Sequence, residues 1–593
     1  MAGETPAVPV VNMTLPTNRL NRLLDQLDAL KSRFGARESR SVEQLLSQMD
    51  RQRVNDAETL IRLHELLLFL SAYPPSARVR SLSESILKSF AKRVAALHAA
   101  DADLTALESP EVSGIDGTSV TDTFSYYIVR WLLSRHASQI RFDWDWFDDE
   151  NRLAEAWPRF MPLLEEDAFV EANVPYPNWL RAASGSRRRD LPWLLQQFER
   201  LQLADKEKAE LYNAQKLYVT WTPRFRESRT GMRVPLTKRV FYHRERLIQR
   251  RDVSLKQELE NPPPTLQQLS PKQGETILDM TRAASTVRYR ELYGFTHGDP
   301  RRVFQTNIGR GVDVFVVGVP PGLRLPLRAY HAAMIFKNGV AVGYFEGISL
   351  FERMESGFNL YYTFREGETA WLYARILNIF RHLCGVTAFA IDPYQIGFEN
   401  EEGIESGAFW FYRKLGFRPT SPKVMKLVLN EEKKLGSESN YRTTASKLRK
   451  LAAGPMIFEL DKPERSLSDH SRRGDWAGDW DRFQVRNIGL AVQRHMAAKY
   501  GGDGQRFRSA AVKELARVPG LNQSDWREGR LAVLSDFAVT LTLVKDLSEW
   551  SDSEKQALLK IIRAKATSDE SSYLKLMQKH SRLRRAMIKL GSQ

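Results

Sequence analysis

Two segments in the middle of the chain combine residue types that can hold a phosphate or move a proton. The first lies where a predicted strand, residues 357–364, turns into a predicted helix, residues 369–383. Its members are Arg365, Glu366, Gly367, Glu368, Thr369 and Ala370. Backbone N–H groups and the positive end of a helix dipole meet at such a turn, which suits a pyrophosphate. The Arg365 guanidinium can add charge-assisted hydrogen bonds.

The second segment, residues 406–417, is a short predicted helix that is closed by a glycine and followed by a strand. Gly416 suits the left-handed position after a helix. This segment resembles the closing helix of the GNAT acetyltransferases, and the earlier turn resembles the pyrophosphate loop of that family. The spacing that carries the resemblance is that of Ala408, Tyr412, Gly416 and Phe417. Residues 272–430 are therefore interpreted as a GNAT-like domain.

The sequence departs from the family pattern at the loop. Arg365 and Ala370 match the first and last loop positions, but Glu368 stands where a glycine is usual, and Gly367 comes one place early. A carboxylate at this position would repel a pyrophosphate unless its side chain points away. Glu405 also stands where many members of the family have an asparagine.

The resemblance implies the transfer of an acyl group from acetyl-CoA or another acyl-CoA, used as a co-substrate, to an amine. The amine would belong to a small molecule or to a protein. Tyr412 would be the general acid that protonates the leaving thiolate, and such a proton transfer is worth roughly 10²–10⁴ in rate. The alternative is that its ring only packs on one face of the helix. Backbone N–H groups of residues 357–364 would polarise the thioester carbonyl.

A base that takes a proton from the amine is also needed, and Glu346 is the first candidate. It is a carboxylate within the apolar, strand-forming run 340–350, where burial would raise its pKa. A position on a solvated strand face is the alternative. Asn359 and Tyr361, on the neighbouring predicted strand, are candidates for substrate binding or for passing the proton through water.

Polar residues also follow the next predicted strand, residues 386–391. Asp392 and Tyr394 come directly after it and precede the acidic loop 397–403. These residues are candidates for binding a cationic amine, although a solvated turn is the commoner explanation of such a loop. The histidines lack the spacing of known metal-ligand motifs, so no metal site is predicted.

The surrounding elements predict an α+β fold with a central GNAT-like mixed sheet flanked by helices. Residues 1–215 are predicted to be a mainly helical domain, and residues 216–271 a mixed connecting segment that ends in a proline-rich linker. The GNAT-like domain, residues 272–430, is followed by a mainly helical region, residues 431–593. Strands are also predicted over residues 312–319, 330–336 and 423–429. Asn338-Gly339 predicts a type I′ turn between two strands.

Composition limits the class of protein. The single cysteine, Cys384, excludes an intrachain disulfide and a multi-cysteine zinc site. The first residues lack the pattern of a secretory signal, and no apolar run approaches the roughly 20 residues that span a bilayer. A cytoplasmic protein is therefore expected.

The net charge of +16 (88 basic minus 72 acidic residues) predicts contact with a polyanion such as RNA, or else solvated basic faces. The basic segments are residues 187–189, residues 238–251 and the last predicted helix. Three functions stay open: an acyl-CoA-dependent N-acyltransferase, an aminoacyl-tRNA-dependent transferase of GNAT-like fold, and a non-catalytic scaffold of that fold.

Overall fold

The computed structural model of the protein describes residues 19–147, 150–160, 174–235, 239–460, 478–519 and 528–593. These residues form two sheets and many helices, which confirms the α+β class. A small antiparallel sheet has the strand order β1–β3–β2. Its strands are Val120–Asp122 (β1), Ile140–Phe142 (β2) and Val219–Trp221 (β3).

The large sheet has nine strands in the order β11–β12–β10–β9–β8–β7–β6–β5–β4. Its strands are Gln267–Gln268 (β4), Val303–Gly309 (β5), Val312–Val317 (β6), Ala329–Lys337 (β7), Val340–Leu350 (β8), Arg353–Leu360 (β9), Ala388–Ile391 (β10), Arg418–Pro419 (β11) and Met456–Glu459 (β12). All neighbouring strands are antiparallel except β9 and β10, which run parallel.

Helices surround both sheets. Those before β4 are Arg19–Leu30, Ala36–Met49, Ala57–Ala72, Ala77–Leu87, Phe90–Ala99, Tyr126–His136, Tyr176–Ser184, Asp190–Arg200, Asp205–Ala214 and Leu255–Glu260. Those between β4 and β12 are Pro271–Thr286, Tyr293–Thr296, Thr369–Cys384, Glu401–Glu405, Ala408–Arg413, Pro422–Ser437 and Ala445–Leu451. The last are Val485–Tyr500, Gly504–Arg517, Glu528–Leu541, Asp552–Thr567, Glu570–Gln578 and Ser581–Gly591.

The Thr369–Cys384 helix forms the core against one face of the large sheet. Most of its residues are buried, so the helix is covered on more than one side, and the Phe380 ring stacks on that of Phe345 in β8 at 4.8 Å. The helix ends where Gly385 adopts a left-handed φ of 73°. Since both rings are fully buried, replacing Phe380 by alanine should lower the free energy of unfolding by about 3–5 kcal/mol.

The turn between β7 and β8 also ties the sheet to the N-terminal region. Asn338 and Gly339 have positive φ angles of 48° and 86°, as a type I′ turn requires. The buried Asn338 amide donates to the carbonyl oxygens of Ala72 (2.8 Å) and Phe241 (3.0 Å). Its Oδ1 accepts from the Phe241 N–H at 2.9 Å. One side chain therefore joins three distant parts of the chain.

Two strand predictions are wrong in part or in whole. The strand predicted over residues 357–364 begins and ends four residues earlier, as β9, and is followed by a 3₁₀ turn at Tyr362–Phe364. Residues 423–429, predicted as a strand, belong to the Pro422–Ser437 helix. Its proline occupies the first helical turn, and its buried residues follow helical spacing, so the apolar run is the inner face of a helix.

The large sheet also extends beyond residues 272–430. Strand β4 comes from the segment that the sequence assigns to the connection, and β12 from the region predicted to be mainly helical. Strand β12 pairs with both β10 and β11, so it lies between them and joins the edge strand β11 to the sheet.

Candidate functional site

Strand β9 continues beyond the end of its pairing with the parallel strand β10. The two strands pair only from Arg353–Ala388 to Glu355–Ala390, whereas β9 continues to Leu360. On its other edge β9 stays paired with β8 along its whole length. The backbone of residues 356–360 therefore faces a gap on the β10 side. We call the space between the carboxyl-terminal ends of β9 and β10 the strand gap.

Glu346 of β8 lies beside the strand gap, opposite Gly357 of β9. Because Gly357 has no side chain, β9 places nothing between this carboxylate and the gap. The Tyr330 hydroxyl donates a hydrogen bond to Glu346 Oε1 and accepts one from the Gly294 N–H at 3.0 Å. Burial raises the pKa of the Glu346 carboxyl, as predicted for a base in an apolar strand, while the hydrogen bond from Tyr330 opposes that shift.

Asn359 lies on the same face of β9 as Gly357, because successive side chains of a strand alternate. It pairs with Tyr344 of β8, whose hydroxyl accepts from Arg290 Nη1 at 3.1 Å. The side chains of Asn359 and Glu346 therefore lie on the same face of the sheet, on neighbouring strands. Tyr361 is placed differently, since its ring is buried under the Arg288 guanidinium with 3.8 Å between Arg288 Cζ and the ring centroid.

Tyr412 approaches the strand gap from the opposite, helix-covered face. Its ring meets that of Tyr373 edge-on at 5.7 Å, and the Tyr373 hydroxyl lies 2.9 Å from Ser356 Oγ of β9. Only 4% of Tyr412 is exposed, and within the described residues its hydroxyl makes no hydrogen bond. Burial raises the pKa of this phenol, so it stays protonated at neutral pH.

Exposed aromatic and acidic side chains line the outer rim of the strand gap. Tyr362 (67% exposed) follows β9, while Tyr394 (55%) and Phe398 (45%) follow β10. Asp392 caps the turn after β10 by accepting from the Tyr394 N–H at 2.9 Å. Gln395 extends across the gap, since a methyl group on Gly357 would lie 3.8 Å from its Nε2.

Glu368 points away from the surface on which a pyrophosphate would lie. Its side chain is 1% exposed, and its carboxylate binds Arg310 at 2.5 Å and Lys337 at 3.3 Å. The Ile248 N–H donates to the same carboxylate at 3.2 Å. Burial lowers the pKa of the Lys337 ammonium to about 8, although Glu368 acts in the opposite direction. The carboxylate that departs from the family pattern therefore belongs to a buried ion-pair cluster.

The rest of the loop contacts the N-terminal helices. Glu366 forms an ion pair with Lys31 at 2.7 Å, and a methyl group on Gly367 would lie 2.4 Å from the Tyr73 hydroxyl. Arg365 turns outwards and pairs with Glu402. Thr369 Oγ1 donates to a carbonyl oxygen of the loop itself at 2.9 Å, and Ala370 is buried. Two of the three charged loop side chains thus have partners from outside residues 272–430 or from the sheet.

Several residues of this region were not identified from the sequence. Tyr330, Tyr73, Arg310 and Lys337 all contact predicted site residues, but their partners lie 16 or more positions away. Tyr330 had a usable signal, since a tyrosine in an apolar strand next to the strand of Glu346 can face it. The ion pairs of Glu368 had no such signal in the sequence, because Glu368, Arg310 and Lys337 belong to three separate turns and strands that only the fold brings together.

The basic segments differ in exposure. Arg187, Arg188 and Arg189 are all exposed on a 3₁₀ turn. Lys238 lies outside the described residues, and the rest of its segment runs past the loop, where His243 is buried. In the last helices some cations form ion pairs and others are exposed. Within the described ranges, every helix is too short or too polar to cross a bilayer.

Comparison of the chain with protein-family models, with curated proteins and with solved structures gave no match. The resemblance to GNAT acetyltransferases therefore depends on the residues of the loop and the closing helix.

Proposed function

We propose that residues 272–430, together with the strands that complete their sheet, transfer an acyl group from a thioester to an amine. The observation that carries this proposal is the strand gap with a phenol on one side and a carboxylate on the other. Tyr412 has a hydroxyl without a partner in the described chain, and Glu346 has a raised pKa. An enzyme that passes a proton between two groups needs this pairing of a protonated acid with an ionised base.

The proposed reaction balances with these two residues. The amine nitrogen attacks the thioester carbonyl carbon and forms the N–C bond, while the C–S bond breaks. Glu346 accepts the proton that leaves the nitrogen, and Tyr412 gives its proton to the thiolate. Burial raises the pKa of the phenol and so makes it a weaker acid, but the same surroundings would raise the pKa of a thiol beside it, which offsets that loss of driving force. Free N–H groups of β9 would bind the developing oxyanion.

The residues present fit the two ends of an acyl-CoA unequally. At the strand gap, residues 356–360 have no partner strand on the β10 side and could meet an extended thioester chain there, although the Leu360 carbonyl oxygen accepts from Arg365 Nε at 3.3 Å. The loop offers Arg365 as the cation for a pyrophosphate, but only after Glu402 releases it. Glu368 is neutralised within the fold and does not oppose an anion there. Acyl-CoA is therefore proposed as donor, with Arg365 as its phosphate contact.

Aminoacyl-tRNA is the second candidate donor, because the loop is covered and a cationic surface is present elsewhere. The helices Val485–Tyr500 and Gly504–Arg517 expose six cations that form no ion pair within the described residues. They are Arg486, Arg494, Lys499, Arg506, Lys513 and Arg517. Phosphate contacts of this type give binding that weakens steeply with salt.

Calorimetric titration of the full chain with CoA and acetyl-CoA tests the first donor. The expected result is micromolar binding that weakens at least tenfold in Arg365→Ala. Arg449→Ala is the matched control, because Arg449 pairs with Glu401 in the same acidic segment at 2.7 Å and lies outside the loop. Equal weakening in both variants would remove Arg365 as the phosphate contact.

The second donor is tested by measuring the binding of tRNA to the same protein at two salt concentrations. Binding of tRNA that is lost between 50 and 200 mM salt, without any CoA binding, would replace acyl-CoA by aminoacyl-tRNA as donor. If neither ligand binds, the enzyme proposal is withdrawn, and a scaffold role takes its place.

A further inference from the structure

A cavity lies on the opposite side of the sheet from Glu346, between β5, β6 and β7 and the start of the Glu570–Gln578 helix. Its volume is about 40 Å³. One water needs roughly 10–15 Å³ on this measure, so the cavity has room for about three waters or a ligand of similar size. Apolar walls come from Phe304, Val316, Val319 and Leu383, and polar groups from Arg302, Arg324, His331, Asp569, Glu570 and Ser571.

Arg324 presents an unused hydrogen-bonding edge at this cavity. Its Nη1 donates to the Lys565 carbonyl oxygen at 2.6 Å. Its Nε and Nη2 are buried and have no acceptor in the described chain. Leaving buried donors of a charged group unpaired is costly, at about 1–3 kcal/mol or more. No other arginine of the described residues has two nitrogens in this state.

The Nε and Nη2 atoms form the side of a guanidinium that binds a carboxylate through two parallel hydrogen bonds. The same chain uses this side elsewhere. Arg181 Nε and Nη2 contact the two carboxylate oxygens of Asp190 at 3.1 and 2.5 Å. Arg301 contacts Asp299 in the same way at 3.0 and 3.1 Å. The Nε and Nη2 atoms of Arg324 could bind a carboxylate in the same way, but no carboxylate of the described chain contacts them.

The acidic residues beside the cavity are already engaged. Glu570 accepts from Lys565 Nζ at 2.5 Å and from the Tyr330 N–H at 3.2 Å. Asp569 accepts from the Ser572 N–H at 2.8 Å and from the Ser571 hydroxyl. Both carboxylates favour the positive charge of Arg324 through space, but neither accepts a hydrogen bond from its Nε or Nη2.

His331 completes the polar side of the cavity. It is buried, and its ring nitrogens lie 3.9 Å from the Cys384 sulfur, which is a weak acceptor. Burial lowers the pKa of the imidazole, so the ring is neutral near pH 7 and keeps one N–H to donate. A small planar anion between Arg324 and His331 would therefore meet donors on one side and apolar groups on the other.

We propose that this cavity binds a small planar monoanion of the carboxylate type, of the size of formate or acetate. The two oxygens bind Arg324 Nε and Nη2, and the remaining part of the anion packs on the apolar wall. This site is separate from the strand gap and does not depend on acyl transfer. Nitrate shares the chemistry, whereas butyrate is too large for the volume.

The test compares thermal unfolding of the full chain in sodium acetate and in sodium chloride at equal ionic strength and pH. The expected result is a higher unfolding midpoint in acetate, with formate and nitrate acting similarly and butyrate acting like chloride. An acetate-specific signal should appear in ligand-observed NMR under the same conditions. Equal midpoints and no NMR signal at 100 mM acetate would overturn the proposal, since the cavity would then hold only water.

Two variants remove the site in different ways. Arg324→Met removes the donors, and Gly318→Val fills the cavity while it leaves the charge in place. A methyl group on Gly318 meets Arg302 Cβ at an ordinary 3.5 Å, so this position tolerates a side chain. Both variants should lose the acetate-specific shift, and the exposed control Arg517→Met should retain it. An undiminished shift in Gly318→Val places the effect elsewhere, even if Arg324→Met does not fold.

Discussion

The strand gap and the neighbouring loop begin at the same end of β9 but differ in how their polar groups are satisfied. At the gap, the Tyr412 hydroxyl has no hydrogen-bond partner within the described chain, and residues 356–360 have no partner strand on the β10 side, although the Leu360 carbonyl oxygen accepts from Arg365 Nε at 3.3 Å. At the loop, Glu366, Glu368 and Arg365 all form ion pairs. The strand gap, where the proposed chemistry would occur, therefore keeps polar groups without partners. The loop, which would hold the carrier of the acyl group, is bound to the rest of the protein by ion pairs.

In the proposed transferase, this difference would separate the chemical step from the binding of the donor. Chemistry at the gap depends on groups that must be free to exchange protons. Recognition at the loop depends on donors that here mostly serve the fold. A protein with this arrangement can keep the reaction and change the carrier, which is why two donors are proposed.

The largest expected effect is the loss of stability that follows when the ion pairs of the loop are broken. Glu368→Gln leaves Lys337 buried without its counter-charge, and breaking a buried pair lowers the free energy of unfolding by about 3–5 kcal/mol. Urea unfolding measures this, with Glu401→Gln as the control, because its exposed pair with Arg449 is worth about 0–1 kcal/mol. Equal shifts in the two variants would mean that the cluster does not stabilise the fold.

At the strand gap, Tyr412→Phe should lower kcat by about 10²- to 10³-fold and leave the unfolding midpoint unchanged. Its hydroxyl has no partner within the described residues, so its removal breaks no contact. Tyr373→Phe should behave oppositely, since its hydroxyl contacts Ser356: about 1 kcal/mol of stability is lost and kcat is retained. Unchanged turnover in Tyr412→Phe would refute its role as the acid.

Glu346→Gln should lower kcat/KM by about 10²-fold and remove its fall at low pH. The base must be ionised, so activity should fall as pH drops through a pKa that burial has raised. A raised pKa also means that the carboxyl stabilises the fold less as pH increases, so the variant should be no less stable at pH 7. Glu355→Gln, on the same face but paired with Arg353, is the control. A low-pH limb that persists in Glu346→Gln belongs to another group.

The smallest effect overall is expected at the contact between the two regions. Glu402→Gln frees Arg365 from a half-exposed ion pair and should change the free energy of unfolding by less than about 1 kcal/mol. If Arg365 contacts a pyrophosphate, this variant should bind CoA more tightly than the unaltered chain in calorimetry. Weaker binding would show that the acidic segment helps to hold the ligand.

The sequence predicted best those elements whose signals are local. Asn338-Gly339 gave the turn, and the helix predicted over residues 369–383 differs from the observed one by a single residue. Residues 423–429 failed because a short run of apolar residues has the same composition in a strand and on the inner face of a helix. Strand β12 was missed because four residues after a helix carry little periodicity.

The candidate site was predictable only in part, for a related reason. Glu346 was selected from its residue type and its place in an apolar strand, whereas Tyr412 was selected from the resemblance to the GNAT family. The inward direction of Glu368 depends on Arg310 and Lys337, which are far away in sequence, so the chemistry of the loop could not be derived from the loop alone. The resemblance gave the order of elements but not the partners of their side chains.

The hydrogen bonds of Asn338 have a consequence for how the protein is made. This residue follows its partner Ala72 by 266 positions. At about 5–20 residues per second, a ribosome needs roughly 10–50 s to synthesise that interval. During this time the apolar faces of the first helices lack the sheet against which they finally pack, so co-translational folding of this chain should depend on a chaperone that covers them. The same bonds argue against expressing the central region alone, because its turn would then lose a partner for a buried amide.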